Sequence, residues 1–132
     1  MNAATNTVPQ PQHLGKVLVV DDEVLIRMDV AQHLRTAGFD VIEAWNGDEA
    51  LTLLTNVGAI ALVITDVRMP GKTDGEALAS CLRREKPEVK IIIVSGHLPA
   101  SRMRRADAAF EKPVDPAALI EKAKELLAGT AK

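Results

Sequence analysis

Apolar residues along this chain fall into two alternating patterns. Short apolar runs have the length of strands, and the stretches between them repeat apolar residues every three or four positions, as helices do. The predicted strands cover residues 16–20, 39–44, 60–64, 89–94 and 108–111. The run at 60–64 has no polar alternation, which is typical of a strand covered on both faces in the middle of a parallel sheet.

Capping residues mark where the predicted helices begin. Asn46, with Glu49 three residues later, has the form of a capping box. Asp74 can cap a third helix, and Asp115 followed by Pro116 is typical of the first turn of another. Helices are therefore predicted to begin near residues 24, 46, 74 and 115, with a short helical or irregular piece at 99–105.

Strands and helices alternate along the whole chain, which implies an α/β fold with helices on both faces of a parallel sheet. With 132 residues, 47% of them apolar, the chain is long enough for one domain. We expect that domain at 16–129, between a disordered tail at 1–15 and a short tail at 130–132. The first tail is polar and contains proline, without the apolar core of a signal peptide, which predicts a cytoplasmic protein with no membrane partner.

Composition excludes several classes of function. A net charge of −2 and 2% aromatic residues give neither a basic surface nor a base-stacking surface for nucleic acid. Because Cys81 is the only cysteine, no disulfide forms within the chain, and with three scattered histidines a Cys/His metal site is not expected. Cys81 shares the apolar face of a predicted helix with Leu78 and Leu82, which predicts a small buried residue.

Polar residues follow four of the predicted strands at the point where each strand ends. Asp21 and Asp22 come after the first strand, Asp66 after the third, Ser95 after the fourth and Lys112 after the fifth. The carboxyl ends of parallel strands meet at one edge of the sheet, where open α/β folds bind their ligands. The sequence therefore predicts one crevice that contains all of these side chains.

Three carboxylates in one crevice repel each other, by about 4 kcal/mol for a pair at about 4 Å and an effective dielectric constant near 20. A hard divalent cation relieves that repulsion, and carboxylate oxygens suit Mg²⁺. Lys112 can pair with a carboxylate and later with a phosphoryl oxygen, while the Ser95 hydroxyl can donate to another such oxygen. Asp66 is the predicted nucleophile, because an ionised carboxylate can attack phosphorus to give an aspartyl phosphate.

Four motifs in this order resemble the receiver domain of a bacterial two-component response regulator, over about residues 16–128. They are Asp21-Asp22-Glu23, Asp66-Val67-Arg68-Met69-Pro70-Gly71 continuing to Asp74-Gly75, Ser95-Gly96 and Lys112-Pro113. The resemblance implies a flavodoxin-like, doubly wound, five-stranded parallel sheet of order 2-1-3-4-5. We expect a stand-alone signalling protein that catalyses only its own phosphotransfer and slow hydrolysis, and is not a metabolic enzyme.

The resemblance further implies roles for particular residues. Asp66 is expected to receive a phosphoryl group from a sensor histidine kinase or a histidine phosphotransfer protein, and the modified chain to act on a downstream protein target or to serve as a phosphoryl carrier or sink. Mg²⁺ is expected to be held by Asp22, Asp66 and the main-chain carbonyl of Arg68, with Asp21 acting mainly through water. The Lys112-Pro113 bond is expected to be cis.

Three departures from the family pattern change these expectations. Gly71-Lys72-Thr73 makes the loop beside the site one residue longer than usual. The chain between Ser95 and Lys112 is short, which predicts a fourth helix reduced to a turn or two around 102–105. Ala109 stands where the family has an aromatic switch residue, and Phe110, one position later, is predicted to point to the opposite face and to pack in the core.

Two alternatives remain open from the sequence. One is a pseudo-receiver that keeps the fold as a binding module, which Ala109 allows and the acids and lysine oppose. The other is a small phosphohydrolase with an aspartyl nucleophile. Arg68 opposes the second alternative, since it stands two residues after Asp66 where such an enzyme needs a second acid.

Overall fold

The computed structural model of the chain describes residues 14–69, 71–96 and 105–128, which form five strands and four helices. The strands are β1 (Lys16–Val20), β2 (Asp40–Ala44), β3 (Ile60–Asp66), β4 (Lys90–Ser95) and β5 (Ala108–Glu111). The helices are α1 (Val24–Thr36), α2 (Gly47–Asn56), α3 (Gly75–Glu85) and α4 (Pro116–Ala128). Strands and helices occur close to where the apolar pattern predicted them.

All neighbouring strands pair in parallel, in the order β2-β1-β3-β4-β5, which confirms the predicted topology. The register aligns the ends of the strands. Asp66, the last residue of β3, pairs with Val94 of β4, and Ser95, the last residue of β4, pairs with Glu111 of β5. The carboxyl ends of β3, β4 and β5 therefore lie side by side at one edge of the sheet.

The sheet is covered on both faces because alternate strand residues point to opposite sides. One apolar layer joins β1, β3 and β4 to α2 and α3 through Leu18, Val63, Ile91, Ile93, Leu54, Leu78 and Leu82. The other layer joins the same strands to α1 and α4 through Val17, Val19, Leu62, Ile92, Leu34, Leu119 and Ala123. This packing confirms the doubly wound α/β architecture.

Asn46 and Asp74 cap helices as the sequence predicted. The side chain of Asn46 accepts a hydrogen bond from the Glu49 N–H at 2.8 Å, and Asp74 accepts one from the Ala77 N–H at 2.8 Å. Glu49 departs from a standard capping box, since its carboxylate accepts from the N–H of Trp45 at 2.8 Å. The contacts of Asn46 and Asp74 satisfy N–H groups that the first turn of a helix leaves without helical partners.

Ala109 and Phe110 lie on opposite faces of β5, as strand alternation predicted. Ala109 packs against the layer under α2 and α3, whereas Phe110 is partly buried against the layer under α1 and α4. Cys81 is only partly buried, although a buried residue was predicted, because it borders a groove between α2 and α3. Helical spacing assigned the face of Cys81 correctly, but it does not predict how closely two helices pack.

Several predictions fall on residues outside the described part of the chain. They include all but the last residue of the shortened helix at 102–105, most of the first predicted tail and all of the second. At the start of the described chain, the Leu14 N–H donates to the Gly38 carbonyl at 3.2 Å and the Asp40 N–H donates to the Gly15 carbonyl at 3.0 Å. None of the helices in the described ranges has both the length and the hydrophobicity needed to cross a bilayer.

Candidate functional site

The edge of the sheet where β3, β4 and β5 end contains a crevice of about 480 Å³. It is lined by Asp22, Glu23, Asp66, Arg68, Ser95, Gly96 and Lys112. Asp21 lies beneath these residues, buried directly after β1. The structure thus brings together every residue for which the sequence predicted a role in the site.

Lys112 occupies the centre of the acidic group. Its Nζ lies 2.9 Å from Oδ2 of Asp66, 3.2 Å from Oδ2 of Asp21 and 3.1 Å from Oε1 of Glu23. Burial by itself disfavours the charged ammonium, but hydrogen bonds to Asp66 and Glu23 and the charge of Asp21 outweigh burial and raise the pKa of Lys112. Lys112 is therefore a fixed positive charge between the carboxylates. The Lys112-Pro113 peptide bond is cis, as the resemblance implied.

Asp21, Asp22 and Asp66 place carboxylate oxygens within 4.8 Å of one another. Burial raises the pKa of Asp21, although a hydrogen bond from the Glu23 N–H at 2.9 Å and the nearby Lys112 oppose that rise. Such a group of oxygen donors, too close to be ionised together without cost, suits a hard cation such as Mg²⁺. The residues present therefore fit the Mg²⁺ site that the resemblance implied.

The loop that follows Asp66 is held closely against the end of β3. The Arg68 N–H points to Oδ1 of Asp66 at 3.4 Å, and the Gly75 N–H donates to the Val67 carbonyl at 2.8 Å. A Cβ atom on Gly75 would lie 2.0 Å from the main-chain oxygen of Asp66. Only glycine allows α3 to begin this close to the strand, and this approach fixes the path of the loop that carries Arg68.

Two residues near the site were missed by the sequence reasoning. Glu23 shares Lys112 with the aspartates, and its place in an acidic triplet was a signal that could have been read. Arg27 donates to the main-chain oxygen of Asp21 at 2.9 Å and pairs with Glu43 at 3.1 Å. No sequence signal marks Arg27, because one arginine on an amphipathic helix is usually a solvent-facing residue.

Comparison with known proteins assigns the chain to a family. Residues 17–124 match the model of the response regulator receiver domain, and the chain belongs to this family. Sensor kinase CckA of Brucella abortus is 38% identical over 117 residues, which are 84% of this chain and 12% of that protein. Transcriptional regulatory protein AruR of Pseudomonas aeruginosa is 35% identical over 123 residues, 85% of this chain and 49% of that protein. The chain thus spans half or less of these curated relatives.

Solved structures of similar chains have the same fold. A CheY-like response regulator receiver domain protein from Methanospirillum hungatei is 30% identical with a TM-score of 0.81, covering 87% of this chain and 94% of that one. The response regulator TrrA of Thermotoga maritima, solved in complex with Mg²⁺-BeF, is 34% identical with a TM-score of 0.77. The match covers 85% of this chain and 98% of that one. These findings confirm the family expected from the four motifs, which is a signalling family of two-component systems.

Proposed function

We propose that this chain is a phosphorylation-dependent switch whose phosphoacceptor is Asp66. The observation that carries the proposal is the arrangement at the crevice. Oδ2 of Asp66 lies 2.9 Å from the Lys112 ammonium, and Asp66 shares a cluster of oxygens within 4.8 Å with Asp21 and Asp22. A nucleophilic carboxylate, a lysine charge and a set of cation ligands are the groups that transfer of a phosphoryl group to an aspartate requires.

The donor is a phosphohistidine of a sensor histidine kinase or of a histidine phosphotransfer protein. An oxygen of Asp66 forms a bond to phosphorus while the bond from phosphorus to the imidazole nitrogen breaks, and the electron pair of that bond stays on the imidazole. Lys112 then pairs with one phosphoryl oxygen and the Ser95 hydroxyl donates to another. Asp22, Asp66 and the main-chain carbonyl of Arg68 would hold Mg²⁺, with Asp21 acting through water, and the bound cation would supply positive charge against the phosphoryl oxygens.

Phosphorylation adds charge at the end of β3, next to residues that end β4 and follow β5. Ser95 is buried and Lys112 is partly buried, so both are held where they can respond to the new oxygens. If the two side chains move toward the phosphoryl group, the ends of β4 and β5 shift between two arrangements whose populations the modification changes. A downstream protein that binds one arrangement better is then the target of the switch, and a phosphorelay carrier or sink uses the same chemistry.

The similar proteins support two parts of this proposal. TrrA, in its complex with Mg²⁺-BeF, shows that a similar chain binds a divalent cation, and the acidic cluster of the present chain fits the same cation. The relative CckA is named as a sensor kinase and AruR as a transcriptional regulatory protein, so similar domains occur in proteins of signal transduction. The receiver domain itself is proposed to extend over 16–129.

Intact mass spectrometry after incubation with acetyl phosphate tests the acceptor. The expected result is a gain of one phosphoryl group that requires both Mg²⁺ and Asp66, and that is lost in Asp66→Asn. Asp74→Asn is the matched control, because Asp74 lies in the same loop but serves as a helix cap, and it should gain the same mass. An unmodified wild-type protein under these conditions would contradict the proposal and favour a binding module.

A further inference from the structure

A side-chain contact joins α2 to the loop beside the site, although the two lie more than twenty residues apart in sequence. Oδ1 of Asp48 accepts a hydrogen bond from the Thr73 hydroxyl at 2.7 Å, and its Oδ2 accepts one from the Lys72 N–H at 3.3 Å. The hydrogen bond from Thr73 lowers the pKa of Asp48, so Asp48 remains an ionised acceptor at neutral pH. We call this contact between Asp48, Lys72 and Thr73 the loop clamp.

Two glycines allow the loop clamp to form. A Cβ atom on Gly47 would lie 2.1 Å from the main-chain oxygen of Thr73, so the loop and the start of α2 touch through their backbones. Gly71 has a φ of +99°, a conformation that favours glycine, and a Cβ there would lie 2.8 Å from Oδ2 of Asp48. The contact is therefore built into the backbone on both sides of the clamp and does not depend on two flexible side chains alone.

The clamped loop is the one that carries a proposed Mg²⁺ ligand. Its base is closed by the hydrogen bond from the Gly75 N–H to the Val67 carbonyl at 2.8 Å. Arg68 follows directly, with its N–H toward Asp66 and its main-chain carbonyl proposed as a ligand. The loop is thus fixed at its base, while the clamp fixes its far side against α2.

We propose that Asp48 and Thr73 are positioning residues that set the Mg²⁺ affinity of the site. This inference rests on the proposed function, since it takes the Arg68 carbonyl as a ligand. A loop that is already ordered loses less conformational entropy when a ligand binds, so a clamp that reduces its freedom strengthens binding. Neither residue is proposed as a ligand of the cation, and their effect reaches Arg68 through the hydrogen bond from the Gly75 N–H to the Val67 carbonyl at the base of the loop.

Substitution of Asp48 alone does not separate positioning from charge, because removing any nearby carboxylate weakens attraction for a cation. Thr73→Val separates the two effects, since it removes the hydroxyl and leaves every charge in place. Thr73→Ser keeps the hydroxyl and is the rescuing variant. Thr52→Val is the matched control, because Thr52 lies on α2 and its hydroxyl donates to the Asp48 carbonyl without contacting the loop.

The experiment is a titration of metal-free protein with MgCl₂ at constant ionic strength, followed by amide chemical shifts, for the wild type and these variants. Loss of supporting contacts around metal ligands costs 10- to 100-fold in affinity, and for this more distant contact we expect Thr73→Val to raise the Kd about three- to tenfold. Thr73→Ser and Thr52→Val should stay within about twofold of the wild type. In an Asp48→Ala background, Thr73→Val should add little, because the two residues act through one contact.

Unfolding midpoints of the same proteins without metal show whether the clamp only stabilises the fold. A lower midpoint in Thr73→Val with a wild-type Kd would overturn the inference and leave the clamp a structural contact. Mg²⁺ binding that is unchanged in Asp66→Asn would instead contradict the proposed function. The two failures are distinguished because the first is measured at Thr73, outside the acidic cluster, and the second at Asp66 within it.

Discussion

The ammonium nitrogen of Lys112 lies 2.9 Å from Oδ2 of Asp66, across 46 positions of sequence. The same nitrogen pairs with Asp21, so without a bound cation Lys112 supplies the positive charge that the carboxylates need. Lys112 and a divalent cation therefore compensate the same negative charge. Their competition leads to a measurable prediction.

Lys112→Ala is expected to bind Mg²⁺ more tightly than the wild type, because the competing positive charge is gone. We expect the Kd for Mg²⁺ to fall roughly tenfold, which corresponds to about 1.4 kcal/mol of binding free energy. Without metal the variant should be less stable by about 2 kcal/mol, since Asp21 and Asp66 are left without their partner. Magnesium titration and urea unfolding measure the two effects.

Lys122→Ala, which removes the ion pair of Lys122 with Glu125 on α4, is the control and should change neither the Mg²⁺ affinity nor the stability. An unchanged Mg²⁺ affinity in Lys112→Ala would show that the lysine does not compete.

Asp21→Asn is expected to make the metal-free protein more stable at neutral pH. Burial raises the pKa of Asp21, so the folded state favours its protonated form. The stability that this group contributes is present below its unfolded pKa of about 3.8 and is lost as the pH rises through the folded pKa. Thermal unfolding from pH 4 to pH 8 should show wild type and variant diverging as the pH rises.

Saturating Mg²⁺ should reverse that order, because the wild type gains more stability from the cation that Asp21 is proposed to help hold. Parallel unfolding curves for the two proteins at every pH, without metal, would contradict the assigned effect of burial on Asp21.

Gly75→Ala is expected to displace the start of α3 from the end of β3. The added Cβ would meet the Asp66 main-chain oxygen at 2.0 Å, and backbone on both sides leaves little room for adjustment. We expect a loss of about 2 kcal/mol or more, together with weaker Mg²⁺ binding. Gly58→Ala is the control, because nothing lies within 4 Å of its added Cβ, and it should remain within about 0.5 kcal/mol of the wild type. If Gly75→Ala and Gly58→Ala were equally stable in urea, that result would argue against the close approach of Gly75 to the Asp66 backbone.

Phe110→Ala is expected to destabilise the fold without abolishing phosphorylation. Phe110 is only partly buried against the layer under α1 and α4, so its removal should cost about 2–3 kcal/mol, less than truncation of a fully buried phenylalanine. Urea unfolding measures that cost, and intact mass after acetyl phosphate treatment should still show the adduct. Loss of the adduct in folded Phe110→Ala would instead indicate that this ring takes part in the switch.

The ends of these strands could be predicted from sequence, because a polar residue follows an apolar run at each of them. Asp66 directly follows four buried residues of β3, and Ser95 and Lys112 stand at the ends of two further strands. Once the strands are parallel, topology alone brings such residues to one edge. The sheet order came from the family resemblance, since periodicity does not determine which strands are neighbours.

The contacts that were missed depend on side-chain reach and on how closely elements approach. Glu23 contacts Lys112 across 89 positions, and although its place in the acidic triplet put it near the crevice, local pattern does not show that its side chain turns toward the lysine. Asp48 lies in a helix predicted to begin near residue 46 and was assigned no role, and its contact with Thr73 requires the backbone approach at Gly47. These contacts are consequences of tertiary packing, and local pattern does not specify them.

The parallel sheet also places the crevice at one end of the molecule and the residues that precede β3 at the other. The strand that ends at Asp66 begins at Ile60, and its seven residues span roughly 20 Å at about 3.3 Å per residue. Gly58 and Ala59, just before that strand, are exposed, and a Cβ on Gly58 meets no other atom within 4 Å. A dye or an immobilising tag attached at residue 58 would therefore report on the protein, or hold it on a surface, from the side away from the crevice.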